Sequence, residues 1–397
     1  LNNFGKETVK VSQELSNELI QIRRHLHQHP ELSFLEHETA GYIQSCLEKW
    51  EIPYQQVGDT GIVVDIIGGK GEGTHIAVRA DIDALPIEEK TGLPFASVNS
   101  GVMHACGHDG HTAILLGTVY QLDKLKEQLT GRVRCIFQPG EEADGAAEQM
   151  IQQGVLENPG VDEMYALHLW PHLPHGTIGV KYGGITASCD NFHIIVEGKG
   201  GHSARPHQAI DAIAISAQLI QTFSFLANKE TNPVDPVVIH VGKIQGGVAS
   251  NVVADKVTLE GTTRAVSPDT RRRIKDRLIQ LTESVVASFG AKAKVIYTDG
   301  HPPVINNDET TKAVEEAARE LYGEQVVCQL KDPSMGADDF GAFAEKVPSS
   351  YFRLGIRQEE TACYDLHHPQ FQFDERIIPI GVEVFTWIVL RRLQKGV

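Results

Sequence analysis

A disulfide framework is missing from this sequence. Its six cysteines (Cys46, Cys106, Cys135, Cys189, Cys328 and Cys363) are scattered over 397 residues without framework spacing. A chain of that length can bury enough apolar surface to hold together without covalent staples. A reducing, cytoplasmic setting is therefore the expectation. A basic excess is missing too. Lysine and arginine number 36 against 52 aspartates and glutamates, for a formal charge of −16. Nucleic acid and anionic membrane surfaces both require a basic face, so neither is an expected partner. A small anionic substrate is still possible, since one local arginine can hold it. Long apolar runs are also absent. The most apolar late stretch, "IIPIGVEVFTWIVL", is 14 residues long and contains Glu383, so it reads as a buried helix rather than a membrane span. The opening segment "LNNFGKETVKVSQELSNELI" is polar and amphipathic and has no signal-peptide apolar centre. No internal repeat or low-complexity segment is visible.

What is present is ordinary globular material: 41% hydrophobic and 22% charged residues. The length favours two domains. "VSQELSNELIQIRRHLHQ" and "EHETAGYIQSCLEKW" carry helical spacing. "GIVVDIIGG", "HIAVRADIDA", "GRVRCIFQP" and "EMYALHLW" read as buried strands, with helices at "HTAILLGTVYQLDKLKEQL" and "GAAEQMIQQG" between them. Such alternation predicts an α/β layer with a mainly parallel sheet. The pattern changes near residue 184. Strand, helix, two strands ("PVVIHVGKI" and "NVVADKVTLEGTTRA"), helix and strand follow over about 115 residues, the order of a ferredoxin-like α+β unit. The expected organisation is a catalytic domain of residues 1–183 and 300–397, with residues 184–299 inserted as a lid and dimerisation domain.

The chemistry concentrates in "MHACGHDGHTA", residues 103–113. Metal ligands need rigid placement, and loops at the carboxyl ends of sheet strands supply it in α/β folds. Five such loops carry ligand-type residues. One holds Cys106, His108, Asp109 and His111. The others hold the pair Glu141 and Glu142 in "QPGEEADG", His168 in "HLW", His367 and His368 in "DLHHPQF", and Asp81 and Asp83 in "RADIDALP". Taken singly, most have a plain reading: a hydrogen-bonded histidine, a solvated glutamate pair, a cysteine packed as a small hydrophobe. Taken together, they can converge on one cleft and hold metal.

The chain resembles the aminoacylase and carboxypeptidase family of metallopeptidases, peptidase family M20, and within it the amidohydrolase branch of aminoacylases, hippurate hydrolases and auxin-conjugate hydrolases. The resemblance runs through "RRHLHQHPELSF", "RADIDALPIEE", "HACGHDGHTAILLG", "QPGEE", "HLWPHLPHGTIG", "GGHSARPH", "SNVVADKVTLEGTTR", "GADDF" and "LHHPQF". It implies two divalent metal ions per subunit, zinc or manganese, held by Cys106, His108, Glu142, His168 and His367. Cys106 or the nucleophilic water would bridge them. It further implies Glu141 as general base and Asp83 as the group orienting a ligand. In the inserted domain it implies His202 as a holder of the scissile carbonyl oxygen, often in the neighbouring subunit's site. Arg264, assisted by Asn251, would pair with the substrate α-carboxylate. Gly336, with Ala337, and Gly355 read as places where backbone approaches substrate, or as tight turns.

The expected activity is metal-dependent hydrolysis of the amide of N-acyl-L-amino acids, releasing a carboxylic acid and a free amino acid. A homodimer through the inserted domain is the expected assembly. A dipeptidase or carboxypeptidase of the same family is the alternative. A non-catalytic binding protein and a thiol enzyme using Cys106 as nucleophile are more distant ones.

Overall fold

The computed structural model describes residues 4–143, 145–358 and 364–395; Cys363 lies outside them. Two compact units are present. The first comprises Leu1–Gly183, Ile305–Asp332 and Asp339–Val397, the second Gly184–Val304 and Pro333–Asp338.

The first unit opens with helices α1 (Gln13–Gln28) and α2 (His37–Lys49), then strands β1 (Gln55–Val57), β2 (Gly61–Ile67) and β3 (His75–Asp81). Helix α3 (His108–Leu125), strand β4 (Arg132–Gln138), helix α4 (Ala146–Gln152) and strands β5 (Glu163–Pro174) and β6 (Ile178–Val180) follow. Eight strands form one sheet in the order β1, β2, β4, β3, β5, Ser349–Arg357, β6, Val327–Gln329. Its middle four, from β4 to Ser349–Arg357, run parallel. Every residue of β3 is buried, as expected of a parallel strand covered on both faces. The cover is visible at adjacent residues of one strand: Phe352 meets Phe385 of the helix Ile377–Lys395, and Tyr351 stacks on Phe340 of the short helix Phe340–Ala344.

Helix α1 starts where the Ser12 hydroxyl accepts the Leu15 N–H at 3.2 Å, and its buried stripe is Leu15, Leu19, Ile22 and Leu26. Helix α3 lies against both α1 and Ile377–Lys395. The charge inside that last apolar helix is satisfied: Glu383 accepts from Lys10 Nζ at 2.8 Å and from the Tyr322 hydroxyl at 2.5 Å. Among the described residues no helix is long and apolar enough to cross a membrane.

The second unit has the order β-α-β-β-α-β: Cys189–Glu197, Ala212–Lys229, Val237–Gly246, Lys256–Ala265, Pro268–Ser288 and Lys292–His301. Its four long strands form an antiparallel sheet, ordered Val237–Gly246, Lys256–Ala265, Cys189–Glu197, Lys292–His301. Phe192, Ile194, Val196, Val257 and Leu259 alternate inward against Ile215, Leu219, Phe223, Ile274 and Leu278 of the two helices.

Local departures from the sequence expectation have physical causes. "NVVADKVTLEGTTRA" is not one strand: Val252–Val253 and Lys256–Ala265 are separate, and the Ala254 carbonyl between them accepts the Ala212 N–H. His108, Asp109 and His111 are not on a loop. They form the first turn of α3, because Gly107 takes a left-handed conformation (φ 93°) and starts the helix early. Gly355 makes no tight turn. It lies inside a strand, where an added Cβ would come within 2.1 Å of the Pro174 carbonyl oxygen.

One buried ion network fixes α1 to the start of α3. Asp109 Oδ2 lies 2.8 Å from both Arg23 Nε and His27 Nδ1, and His27 Nε2 lies 3.2 Å from Glu89. Burial acts to raise the Asp109 pKa, but Arg23 and His27 outweigh it and hold the carboxyl far below the usual range. A carboxylate depressed in the folded state adds stability above its unfolded value near 4, and that stability is lost as pH falls below it. Asp109→Asn is expected to lower unfolding free energy at pH 7 by about 3 kcal/mol, the scale for breaking a buried pair. The variant's stability should also fall less steeply with pH below about 4. Urea titrations at several pH values measure both; parallel curves for the two proteins would remove Asp109 from the acid response.

Candidate metal centre

Two aspartates at the carboxyl end of β3 organise the centre. Asp81 closes the strand and Asp83 lies two residues on. The His108 Nδ1–H donates to the Asp83 carbonyl oxygen at 2.9 Å and lies 3.1 Å from Asp83 Oδ1. A carbonyl only accepts, so Nδ1 keeps its proton and Nε2 is the nitrogen that can give up its own to bind a cation. That Nε2 is buried and has no hydrogen-bond partner. His168 follows the same rule. Its Nδ1–H donates to the Leu169 carbonyl at 2.6 Å, and Nε2 faces Cys106 Sγ at 3.3 Å. Strand β5 runs on to Pro174, so His168 is not at the strand's end. Pairing with β3 stops at Ala166, however, which leaves His168 just beyond its neighbour.

His111 is different. Its Nε2 accepts the Leu169 N–H at 2.9 Å, so Nδ1 carries the proton and points it at Asp81 Oδ1, 2.6 Å away. Both nitrogens are used and no lone pair remains for metal, although Asp81, His108 and His111 lie close enough to suggest a ligand triplet. His111 is a brace that fixes the backbone next to His168. Asp81 also receives Arg79 at 2.7 Å, and Arg79 continues to Gln138 and Asp339. The sequence grouped Asp81 and His111 with the ligand types and gave Arg79, Gln138 and Asp339 no role; the available signal was an arginine inside the buried strand "HIAVRAD".

Cys106, His108 and His168 form one cluster of possible ligand atoms within 4.8 Å of one another; Cys106, Glu142 and His367 form another, and the two share Cys106. Glu141 and Glu142 also cluster with His108. Glu142 is positioned through its backbone, since its N–H donates to Asp83 Oδ2 at 2.9 Å, beside the Ser33 hydroxyl at 2.7 Å. His367 has φ 64°, uncommon outside glycine, and its N–H donates to the Ala105 carbonyl at 2.8 Å. That geometry brings His367 Nε2 within 3.2 Å of Glu142 Oε1. His368 turns the other way: it stacks on Tyr364 and accepts the Gln370 N–H on Nδ1. The remaining expected residues belong to the second unit. His202 is exposed, in a two-residue strand paired with Val252–Val253. The exposed Asn251 accepts the Ser203 N–H on its carbonyl, and Arg264 folds back on Thr262 Oγ1 and the Thr263 carbonyl.

The electrostatics describe a cation-hungry cluster. Burial, then Glu142 and Glu141, push the Cys106 thiol far up. Burial opposes protonation of His108, but Asp81 and Asp83 raise it to about 10. Burial and the neighbouring His111 and Arg353 hold His168 far down, so it stays neutral. The protons on Cys106 and His108 occupy positions that a cation would take. A thiol, imidazole lone pairs and carboxylates suit divalent transition metals, so the residues fit the pair of metals that the family resemblance implies.

Comparison with known proteins agrees. The family model described as peptidase family M20/M25/M40 matches residues 77–391. This chain belongs to that family. N-acetyl-L-cysteine deacetylase of Bacillus subtilis is 41% identical to this M20 chain over 382 residues, 96% of this chain and 89% of the relative. N-acyl-L-amino acid amidohydrolase of Geobacillus stearothermophilus is 41% identical over 307 residues, 77% and 82% of the two chains. A crystal structure of a dinuclear metal binding peptidase of the M20 family from Bacillus subtilis superposes with a TM-score of 0.85 at 36% identity, covering 97% of this chain and all of that one. The M20 chain is a hydrolase with an α/β catalytic fold.

Two outcomes are expected. Adding zinc to metal-free protein should release about two protons per subunit near pH 7, from Cys106 and His108, so apparent affinity rises with pH. Calorimetry in buffers of different ionisation enthalpy measures this; no buffer dependence would mean the centre is already deprotonated. His367→Ala should lower metal content by elemental analysis while His368→Ala leaves it near wild type, and the reverse pattern would exchange their roles.

Proposed function

We propose that this chain hydrolyses the amide bond of N-acyl-L-amino acids, releasing a carboxylic acid and a free amino acid. The observation that carries this reading is the pair of histidines, His108 and His168, locked in the tautomer that aims Nε2 at the Cys106 cluster, with Glu141 beside them. The relatives named as deacetylase and amidohydrolase support the substrate class. Cys106, His108, Glu142, His168 and His367 would hold two divalent ions, zinc or manganese, which supply Lewis acidity and an acidified water.

The chain's own residues divide the remaining work. Glu141 takes the attacking water's proton and delivers it to the leaving amine. Asp83 keeps His108 in its ligating tautomer. His202 steadies the oxyanion, and Arg264 with Asn251 receives the α-carboxylate in a bidentate grip. The enzyme acts in the cytoplasm as a homodimer through the second unit, with His202 serving the neighbouring chain. A carboxypeptidase is the second reading: thermostable carboxypeptidase 1 of Saccharolobus solfataricus is 38% identical.

A hydrolysis screen with acetyl-, benzoyl- and indoleacetyl-amino acids and dipeptides decides between the two. Turnover of dipeptides alone would overturn the first. Glu141→Gln should keep metal content near wild type and lose about 10²–10⁴-fold in kcat; joint loss of metal would make Glu141 a ligand. Mixing inactive Glu141→Gln and His202→Ala proteins under subunit exchange should restore activity above either alone. No rise, with exchange confirmed, would put His202 outside the partner's site.

A further inference from the structure

Among the described residues of the first unit, four arginines are buried. Three meet carboxylates: Arg23 reaches Asp109 at 2.8 Å, Arg79 reaches Asp81 at 2.7 Å and Arg134 reaches Asp65 at 2.8 Å. The fourth, Arg353, is 3% exposed, yet among the described residues no carboxylate lies within ion-pair distance of it. Its guanidinium stacks on the Trp170 ring at 3.8 Å and on the Tyr351 ring at 4.9 Å, and among the described residues its one side-chain hydrogen bond, to the Tyr351 hydroxyl, is 3.4 Å long. Stacking on aromatic faces offsets only part of the loss of hydration of a buried cation. The other buried arginines show how this fold normally completes that balance, with an anion.

The position of Arg353 is informative. It pairs in register with His168 on the neighbouring parallel strand, so the two side chains share a face of the sheet. Trp170 follows two residues after His168 on the same face, half-buried, and exposed His172 follows in turn, 3.2 Å from Asp365. A row of side chains therefore leads from the metal cluster outward past the guanidinium. Trp170 fixes the plane of Arg353 and leaves the edge donors of the fork to meet a planar anion.

We propose that Arg353 and Trp170 form a carboxylate-binding subsite beside the metal centre. Resting on the proposed hydrolysis of N-acyl-L-amino acids, two sources present that chemistry. One is a second carboxylate at the far end of the acyl group, as in an amide of a dicarboxylic acid. The other is the carboxylate of the acid released by hydrolysis. Neither is the α-carboxylate assigned to Arg264.

The test uses metal-loaded protein and two readouts. The first is tryptophan fluorescence during titration with succinate and with acetate, with Trp170→Phe identifying the signal. A saturable change is expected in wild type, and loss of one charge-assisted pair should weaken it about tenfold or more in Arg353→Met. The second readout is kinetics. A fall in kcat/KM for N-succinyl-amino acids about tenfold larger than for N-acetyl-amino acids places the far carboxylate of the acyl group there. Equal kinetics for both substrates with weaker inhibition by the acid product places the released carboxylate there. Arg353→Lys, which keeps the charge, should retain part of the binding and covers the case in which Arg353→Met does not fold. No saturable signal, or lost metal content with carboxylate binding unchanged, overturns the proposal. If no N-acyl-amino acid is turned over, the substrate reading fails, and the titration still decides the subsite.

Discussion

The Asp83 carboxylate gathers donors from three separate stretches of chain. His108 lies at Oδ1, and the Ser33 hydroxyl and the Glu142 N–H donate to Oδ2. Two residues earlier, Asp81 does the same for His111, which in turn holds the Leu169 N–H beside His168. The end of one buried strand therefore positions both sides of the centre. Its precision comes from the sheet, which cannot shift β3 without breaking the parallel ladders to β4 and β5. Loops bring the donors, but the strand sets their coordinates.

Charge explains why this arrangement is tolerated inside a protein. Buried carboxylates are costly unless paired. Arg79 pairs with both Asp81 and Asp339, and Arg23 pairs with Asp109. Those pairs take care of the supporting acids and leave Glu141, Glu142 and the Cys106 thiol as the groups facing the cluster. The fold thus separates acids paired within the scaffold from acids left facing the cluster.

Much of this was legible beforehand because the signals were local. The stripe Leu15, Leu19, Ile22, Leu26 predicted α1, and the apolar runs around Val78 and Ile136 predicted buried parallel strands. The cluster around Cys106 announced metal chemistry through residue type alone. What stayed hidden depends on partners far away in the chain. His108 and His111 look equivalent on paper; the Leu169 N–H, 58 residues on, makes one a lone-pair donor and the other a brace. His367 and His368 are adjacent and identical, and a positive φ together with the Ala105 carbonyl separates them. Arg353 gave no sequence signal, because a lone arginine in a strand becomes unusual only once the missing carboxylate is visible.

Cys106 and His367 are 261 positions apart (367 − 106), and they approach only when α3, the sheet and the loop before the last helix are in place. As proposed ligands they differ from those of a short finger, which lie within one hairpin that an ion can template. The interior, with Leu19, Val78, Phe137, Phe352 and Phe385 among its members, is built from apolar side chains and not around an ion. Under the proposed metal dependence, a cell short of metal would hold folded but idle molecules, ready to be recharged when supply returns.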